Sequence, residues 1–530
     1  MNEQIVLKLA KLKNITNDKF DQIRRDFLRV NKVIKDIPKK SDLLAVYHKL
    51  LKNGKIKQNP TLEKLLTKRA IRTLSGVSII TVLTKSYPCP GKCVYCPDEK
   101  NMPKSYISDE PAAARAFQLH FDPFEQVVRR IDALQKNGHP TDKIELIVKG
   151  GTWNAYPLQY QYWFIVRCFQ AANASRKLKT ESKKLDILKK QLIIEQKKNE
   201  KAKHRIIGIT LETRPDFINE KTVWQMREQG CTRVELGAQT IDDKILKTIQ
   251  RGHGSLEIKN AMRLLKLYGF KVDLHLMPQL PGSTPGKDLK MMLEIFDDPD
   301  YRPDMIKIYP CTVVKNSELY TWLKKGKYKP YSDKKLLETL IAVKTKIPRY
   351  VRISRLIRDI PSHHIEAGNK MTNLRQVIQM EMKKRGLKCN CLRCREIGHV
   401  DSRKLKVESL KPKLFIDKYE ASGGKEYFLS FEDKNRNVVF AFCRLRLDKN
   451  GLFPAFIREL HTYGQSLELK TKNKKDSQHK GFGKQMVAMA EKICQDNDIN
   501  TLAVISGVGV KGYYKKLGFK EKETYLVKKL

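Results

Sequence analysis

Acidic residues are in short supply. The 530-residue chain has 58 Asp and Glu against 105 Lys and Arg, a formal charge of +47. That excess goes beyond what solubility needs and implies a polyanionic partner, nucleic acid first. It also disfavours basic protein tails as substrates, because like charges would have to dock. Long apolar runs are missing as well: no stretch is long enough to cross a bilayer and no cleavable signal is visible. The expectation is a soluble, cytoplasmic protein with no membrane partner. Cysteines at disulfide-like spacing are lacking too. Of 11 cysteines, six fall in two tight clusters, which points to metal ligation in a reducing compartment.

The first cluster, Cys89-Pro-Gly-Lys-Cys93-Val-Tyr-Cys96, comes after the apolar run Gly76 to Lys85, which reads as a buried strand handing over to a site loop. Three thiolates at this spacing can ligate three irons of a 4Fe–4S cluster and leave the fourth open. Structural zinc is the alternative, but it needs a closed tetrahedral set and no fourth ligand lies nearby. C-x3-C-x2-C resembles the signature of radical S-adenosylmethionine enzymes, whose open iron holds the cofactor's amino and carboxylate groups.

Strands and helices alternate after this loop. The strand Lys143 to Lys149 ends in Gly150-Gly151-Thr152, where glycines allow a ligand to approach the backbone. Radical S-adenosylmethionine enzymes carry such a pair against the cofactor. Further strands cover Arg205 to Asp216, Arg233 to Gln239, Lys271 to Pro278 and Met305 to Pro310, with helices Lys221 to Gln229, Asp242 to Gln250, Ser255 to Tyr268 and Asp288 to Asp297. This predicts an α/β fold whose core is a partial (β/α) barrel, a parallel sheet closed or nearly closed. Chemistry belongs at the strand C-termini, so Glu212, Arg214, Gln239 and His275 are candidate cofactor or substrate contacts. The lysine-rich stretch from Arg176 to Arg205, with leucines near heptad spacing, is a solvated helix or an RNA contact.

Residues 1 to 75 read as a basic helical segment. Their faces include Ile5, Leu9, Phe20 and Ile23 between many Lys and Arg, suited to phosphate contacts or to capping the fold. The second cluster, Cys389-Asn-Cys391-Leu-Arg-Cys394, packs three thiols into six residues. Zinc would need a fourth ligand. Cys311 is the first candidate, with His363, His364 and His399 as alternatives. The role expected is structural, pinning the barrel to the C-terminal domain. The remaining Cys168, Cys231, Cys443 and Cys494 read as core residues.

From about residue 405 the pattern changes to antiparallel strands: Tyr427 to Glu432, Val438 to Leu447 and Phe456 to Tyr463. Then Gln478-His-Lys-Gly481-Phe482-Gly483 opens a helix at Lys484. A Gly-rich turn there presents backbone amides and the helix dipole to a pyrophosphate. Together with Gly512-Tyr513-Tyr514 and Gly518-Phe519 it resembles the acetyl-CoA motif and closing elements of the GCN5-related acetyltransferase fold. The divisions expected are a basic helical segment over 1–75, a radical S-adenosylmethionine core over 76–385, a zinc linker over 386–404 with Cys311, and an acetyltransferase domain over 405–530.

The combination resembles the catalytic subunit of Elongator, the tRNA wobble-uridine modifying enzyme, in its stand-alone bacterial or archaeal form. The matching residues include Arg72-Thr-Leu-Ser-Gly76, Tyr87-Pro-Cys-Pro, Phe121-Asp-Pro-Phe, Glu212-Thr-Arg-Pro-Asp216, Arg251-Gly-His253, Arg358-Asp-Ile-Pro361, Arg458-Glu-Leu-His461 and Ile505-Ser-Gly-Val-Gly509. The resemblance implies an acyltransferase that joins a S-adenosylmethionine-derived radical to acetyl-CoA and makes 5-carboxymethyluridine in tRNA. In that reading Cys89, Cys93 and Cys96 hold the cluster, while Gly150, Gly151, Thr152, Glu212 and Arg214 seat S-adenosylmethionine. Glu459, Leu460, His461, Thr462, Gln478, Gly481, Phe482, Gly483 and Lys484 bind acetyl-CoA. Lys143 reaches it across the domain interface, and Tyr513 or Tyr514 lies at the thioester. The partner implied is tRNA and not DNA, with a homodimer possible and the large Elongator accessory subunits not expected. The rival is a protein lysine acetyltransferase with a structural iron–sulfur cluster.

Overall fold

The computed structural model describes residues 2–12, 15–30, 38–68, 73, 75–174, 184–400, 411–463 and 481–530. Gln478, Arg72 and Leu74 of the motifs above, and the start of the lysine-rich stretch, lie outside them.

Four helices open the chain: α1 (Asn2–Ala10), α2 (Asn17–Val30), α3 (Lys40–Lys52) and α4 (Pro60–Leu66). Their apolar faces meet in a small core of their own, with Ile5, Leu9, Phe20, Ile23, Leu43, Leu44, Tyr47 and Leu62 buried. Asn59 caps α4 by accepting from the Leu62 amide at 3.0 Å, and Pro60 occupies its first turn, as a short helix requires.

The first large sheet has the order β1 (Ser78–Leu83), β2 (Lys143–Lys149), β3 (Arg205–Thr213), β4 (Cys231–Gln239), β5 (Lys271–Leu276), β6 (Met305–Ile308) and, after the short β7 (Val313–Val314), β8 (Arg352–Arg355). All its pairings are parallel. The expected strands and crossover helices are present with ends shifted by one to three residues, for example Glu220–Glu228, Ser255–Leu267 and Pro285–Asp297, and β3 stops at Thr213 before Pro215. The sheet is a partial barrel and does not close: β1 and β8 are its two edges. Strand β8 was not anticipated, since four residues with two arginines carry no strand signal. β7 pairs instead with β9 (Ile365–Ala367).

The second sheet is mixed and contains β10 (Lys413–Ala421), β11 (Gly424–Glu432), β12 (Val439–Leu447), β13 (Ala455–Thr462), β14 (Thr501–Val504), β16 (Tyr525–Lys529) and β15 (Lys520–Lys522), in that order. β13 and β14 are parallel and pair only at Phe456 and Ile457. Beyond them the strands part, leaving the side of β13 from Arg458 to Thr462 without a ladder partner among the described residues.

The two sheets meet through buried charge. Arg458 donates to both Asp304 oxygens, at 2.8 and 2.6 Å, to the Phe270 carbonyl at 2.8 Å and to Glu426 at 2.9 Å. Arg444 donates to Glu459 at 2.9 Å and to the Tyr350 carbonyl at 2.7 Å. A third contact is steric. A Cβ on Gly507 would lie 1.9 Å from the Ile207 carbonyl, so only glycine lets this loop reach β3. All of these join the acetyltransferase-like sheet to the N-terminal ends of the barrel strands.

Candidate active site

Strand alternation turns one face of each barrel strand inward. The inward residues are unusually polar: Glu145 and Lys149 on β2, Glu212 on β3, Arg233 and Glu235 on β4, Lys271, Asp273 and His275 on β5, and Lys307 on β6. They line one cavity of about 790 Å³ that runs from Cys89, Cys93 and Cys96 at the strand C-termini to Glu459, His461 and Tyr514 of the second sheet.

At the first end the Arg251 guanidinium donates to the Cys93 thiol at 3.4 Å. Hydrogen bonding from Cys96 outweighs the cost of burial and, with Arg251, pulls Cys93 down to about 4. The three sulfurs do not all lie within 4.8 Å of one another. Arg214 grips Asp216 at 2.9 Å and the Arg251 carbonyl at 2.7 Å, yet its Nη1 is buried without a partner. That nitrogen faces the cluster loop: a Cβ on Gly91 would lie 2.2 Å from it. Such an orphaned cation beside thiolates marks a place for an anionic group. Gly150 has φ +140°, and a Cβ there would lie 1.8 Å from the Thr84 hydroxyl, so only glycine fits where the end of β2 packs against Thr84; Gly151 and Thr152, next in the chain, line the cavity. Thr152 is buried.

Glu235 is the hub of the cavity wall. Its Oε2 meets Lys149, Lys307 at 2.5 Å and His275 at 3.1 Å. Glu212 accepts from the Tyr106 hydroxyl at 2.8 Å and lies 3.5 Å from Lys149. Burial alone would raise Glu235, but Lys149 and Lys307 hold it well below the usual carboxylate range. Sequence reasoning found Glu212 and His275 here and missed Lys149, Glu235, Lys307 and Tyr106. The signal was available as charged residues at alternate positions of apolar strands.

At the far end, Glu459 pairs with Arg444 at 2.9 Å and with Lys271 at 3.8 Å. His461 contacts the Ser75 carbonyl at 2.7 Å. Gly481 caps the helix Phe482–Gln495, whose first turn carries no acid, leaving the dipole free for an anion. Gly483 lies under the Tyr513 hydroxyl, with Leu460 beyond. Tyr514 is buried and lines the cavity, whereas Tyr513 is 36% exposed above the helix start. Lys143 begins β2 at this same end but lies outside the cavity lining, its ammonium lowered by burial.

The second cysteine cluster requires a correction. Cys389, Cys391 and Cys394 bring their sulfurs within 4.8 Å of one another, but Cys311 is not among them. The Cys311 thiol is buried against Tyr328, with which it hydrogen-bonds. His363 and His364 point to Asp109, at 3.5 and 2.8 Å, and His399 to Glu396 at 3.5 Å. The group beside the three sulfurs is Lys344, 3.2 Å from Cys389 and 3.7 Å from Cys394. Three thiols and one ammonium are therefore what the described residues offer. The cluster does join the two sheets, since Leu392 bonds to the Val351 carbonyl at 2.9 Å and Arg395 to Glu432 at 2.7 Å.

Comparison with known proteins agrees with this geometry. Residues 84–295 match the model of the radical SAM superfamily, and residues 303–384 that of the radical SAM C-terminal domain. A tRNA uridine(34) acetyltransferase of Methanocaldococcus infernus is 40% identical over all of this chain and 98% of its own length. One from Dehalococcoides mccartyi is 41% identical over 87% of this chain and its own full length. Elongator complex protein 3 of Homo sapiens is 34% identical over 88% of this chain and 86% of its own length. The solved structure of the Methanocaldococcus infernus Elp3 with an N-terminal deletion (1–46) superposes with a TM-score of 0.73, at 41% identity, over 86% of this chain and all of that one. With a cysteine-ringed cavity shared between a partial radical barrel and an acetyltransferase-like sheet, and relatives of this identity along its length, the chain belongs to the tRNA uridine(34) acetyltransferase family that includes Elongator complex protein 3.

Proposed function

We propose that the chain converts the wobble uridine of tRNA to 5-carboxymethyluridine, using S-adenosylmethionine and acetyl-CoA. The observation that carries this reading is the single cavity linking Cys89, Cys93 and Cys96 to β13 and Tyr514. Two separate activities on one chain would not need a shared interior.

Cys89, Cys93 and Cys96 would hold a 4Fe–4S cluster, with Gly150, Gly151, Thr152, Glu212 and Arg214 around S-adenosylmethionine. Glu459 to Thr462, Gly481 to Lys484 and Tyr514 would hold acetyl-CoA. When bound, these groups supply a carbon radical and an acetyl donor, a combination suited to C5 of uracil, which is too weak a nucleophile for ordinary acyl transfer. The chain's own residues then orient and exclude. The Arg214 nitrogen left open accepts an anionic group, and Tyr514 closes the far wall. The charged lining from Glu145 to Lys307 fixes polar groups without bulk water.

The excess of basic residues supports tRNA as the partner, because phosphate contacts supply most of such an affinity. The four N-terminal helices offer rigid elements on which basic side chains can meet phosphates. For Cys389, Cys391 and Cys394 the reading is a structural zinc ion. Three thiolates leave such a site with net negative charge, which the Lys344 ammonium offsets. Metal analysis of the purified protein tests it: one zinc per chain, lost in Cys391→Ala, is expected, and equal zinc in both would reject it.

The test of the main reading is anaerobic. Reconstituted protein, reductant, S-adenosylmethionine, acetyl-CoA and unmodified tRNA are combined and the nucleosides read by mass spectrometry. 5-Carboxymethyluridine is expected. Acetylation of a lysine peptide with no change in tRNA would replace this reading with the rival.

A further inference from the structure

Asp273 is 1% exposed, lines the cavity, and has no hydrogen-bond partner on either carboxylate oxygen. A buried carboxylate without donors is costly, and the cost is ordinarily met by a partner. Its neighbours on the wall are engaged. Glu145 is held by Arg233 at 2.6 Å, Glu212 by Tyr106, and Glu235 on one oxygen by two lysines and His275. Among the described carboxylates of this wall, the other oxygen of Glu235 is likewise buried without a partner.

Register places Asp273 midway along the cavity. It is level with Glu235 on β4 and Met305 on β6. One layer towards the cysteines stand His275 and Lys307, which face each other across β5 and β6. One layer the other way stand Arg233 and Lys271, and Lys271 touches Glu459 of the second sheet. The middle of the cavity therefore presents an open acceptor beside a donor, between the two ends where the chemistry of each cofactor is seated.

The pairing edge of uracil has the complementary pattern: an N3–H donor flanked by carbonyl acceptors. Cytosine reverses it, with a lone pair at N3 and an amino group at C4. We propose that Asp273 and Lys307 read the target base: Asp273 accepts the N3–H of a uracil and Lys307 donates to O4. Held this way, the base turns its C5–C6 edge to the open cavity, where the new carbon bond must form. The inference rests on reading the chain as a uridine-modifying enzyme. Burial raises the Asp273 carboxyl and the charge of Lys307 opposes that rise. An N3–H donor adds to the opposition, so base binding and ionisation of Asp273 favour each other.

The test compares anticodon stem-loops carrying uridine, 3-methyluridine or cytidine at the wobble position, titrated against the reconstituted full-length protein. The wild-type protein should bind uridine about tenfold or more tightly than either alternative, the discrimination usual for a paired base edge. Asp273→Ala should bring uridine and 3-methyluridine together and narrow the gap to cytidine, whose amino group still meets Lys307. Lys307→Met should reduce the penalty on cytidine, whose N3 lone pair still meets Asp273, and keep the penalty on 3-methyluridine. Equal wild-type binding of all three, or wild-type ratios in Asp273→Ala, would overturn the inference. If the alanine variant does not fold, the wild-type comparison decides alone. A protein that makes 5-carboxymethyluridine but shows no base discrimination refutes only the inference, whereas one that cleaves S-adenosylmethionine and makes no modified uridine refutes the reading beneath it.

Discussion

At the strand C-termini the cavity is ringed by buried cationic nitrogens that lack partners, the Arg214 Nη1 and the Arg251 Nε, beside the three thiols of the cysteine loop. At the strand N-termini acids and bases pair with one another, with Asp304 held by Arg458 and Arg444, Glu459 by Arg444 and Lys271, and Glu426 by Arg458 and Arg446, although the Arg444 Nη1 and the Arg446 Nε have no hydrogen-bond partner. Both ends are buried and both are charged. The difference lies in what the charges face: at one end arginines turn towards the cysteine loop, and at the other acids and bases from two sheets face each other and fasten the sheets together. Charge inside a protein thus reads as function where it faces a cavity and as architecture where it faces its opposite across an interface.

Removing a cysteine from the open end should have the largest effect. Cys96→Ala is expected to bring 5-carboxymethyluridine below detection and to remove the iron–sulfur absorption, with thermal unfolding little changed. The fastening end should respond in the opposite way. Arg458→Leu leaves Asp304 and Glu426 buried without their main cation, a loss of about 3–5 kcal/mol, read as a large fall in the unfolding midpoint. If Arg458→Leu instead cost activity and no stability, the contrast between the ends would fail.

Gly150→Ala tests the open end without touching a charge. The added methyl meets Thr84 and the backbone is held at a φ that disfavours alanine, so local overpacking of about 1–3 kcal/mol is expected, with S-adenosylmethionine cleavage reduced. Double substitution with Thr84→Gly should recover part of it.

The smallest effect is on pH dependence. Burial alone would raise Asp304, but Arg458 and Arg444 hold it well below its ordinary value. A depressed carboxyl stabilises the fold fully above its unfolded pKa of about 3.9 and loses that contribution as pH falls towards the folded value. The acid limb of the stability curve should therefore be shallower in Asp304→Asn than in the wild type. An unchanged limb would remove Asp304 from the fastening.

The open end was the more legible in sequence. Cys89, Cys93, Cys96, Gly150 and Gly151 fall at fixed spacings on one loop and one strand end, so local chemistry announces them. The fastening was half visible: Arg458 and Glu459 belonged to a recognisable run, but Asp304 is 154 residues from Arg458, and no spacing links them. Cys311 misled for the same reason. It comes soon after β6 and had a free thiol, yet the turn after β6 carries it to Tyr328 and away from the second cluster. Lys344, in the helix Asp333–Lys346, reaches that cluster, and an amphipathic helix gives no hint that one of its lysines will face thiols. Asp273 was written inside a strand already assigned, and needed only the alternation rule to be placed indoors.

The attachment of the second sheet to the beginnings of the barrel strands gives each strand the role of a spacer. From Glu145 to Lys149 the backbone of β2 advances four residues, about 13 Å at 3.3 Å per residue. On the proposed reading, that length is how far an acyl arm seated at the second sheet would have to extend to meet the cysteine end of the cavity. It is fixed by hydrogen-bond register. Adding or deleting a residue pair in these strands would then lengthen or shorten the reach while leaving both ends intact, so the strands would act as a ruler for the donor.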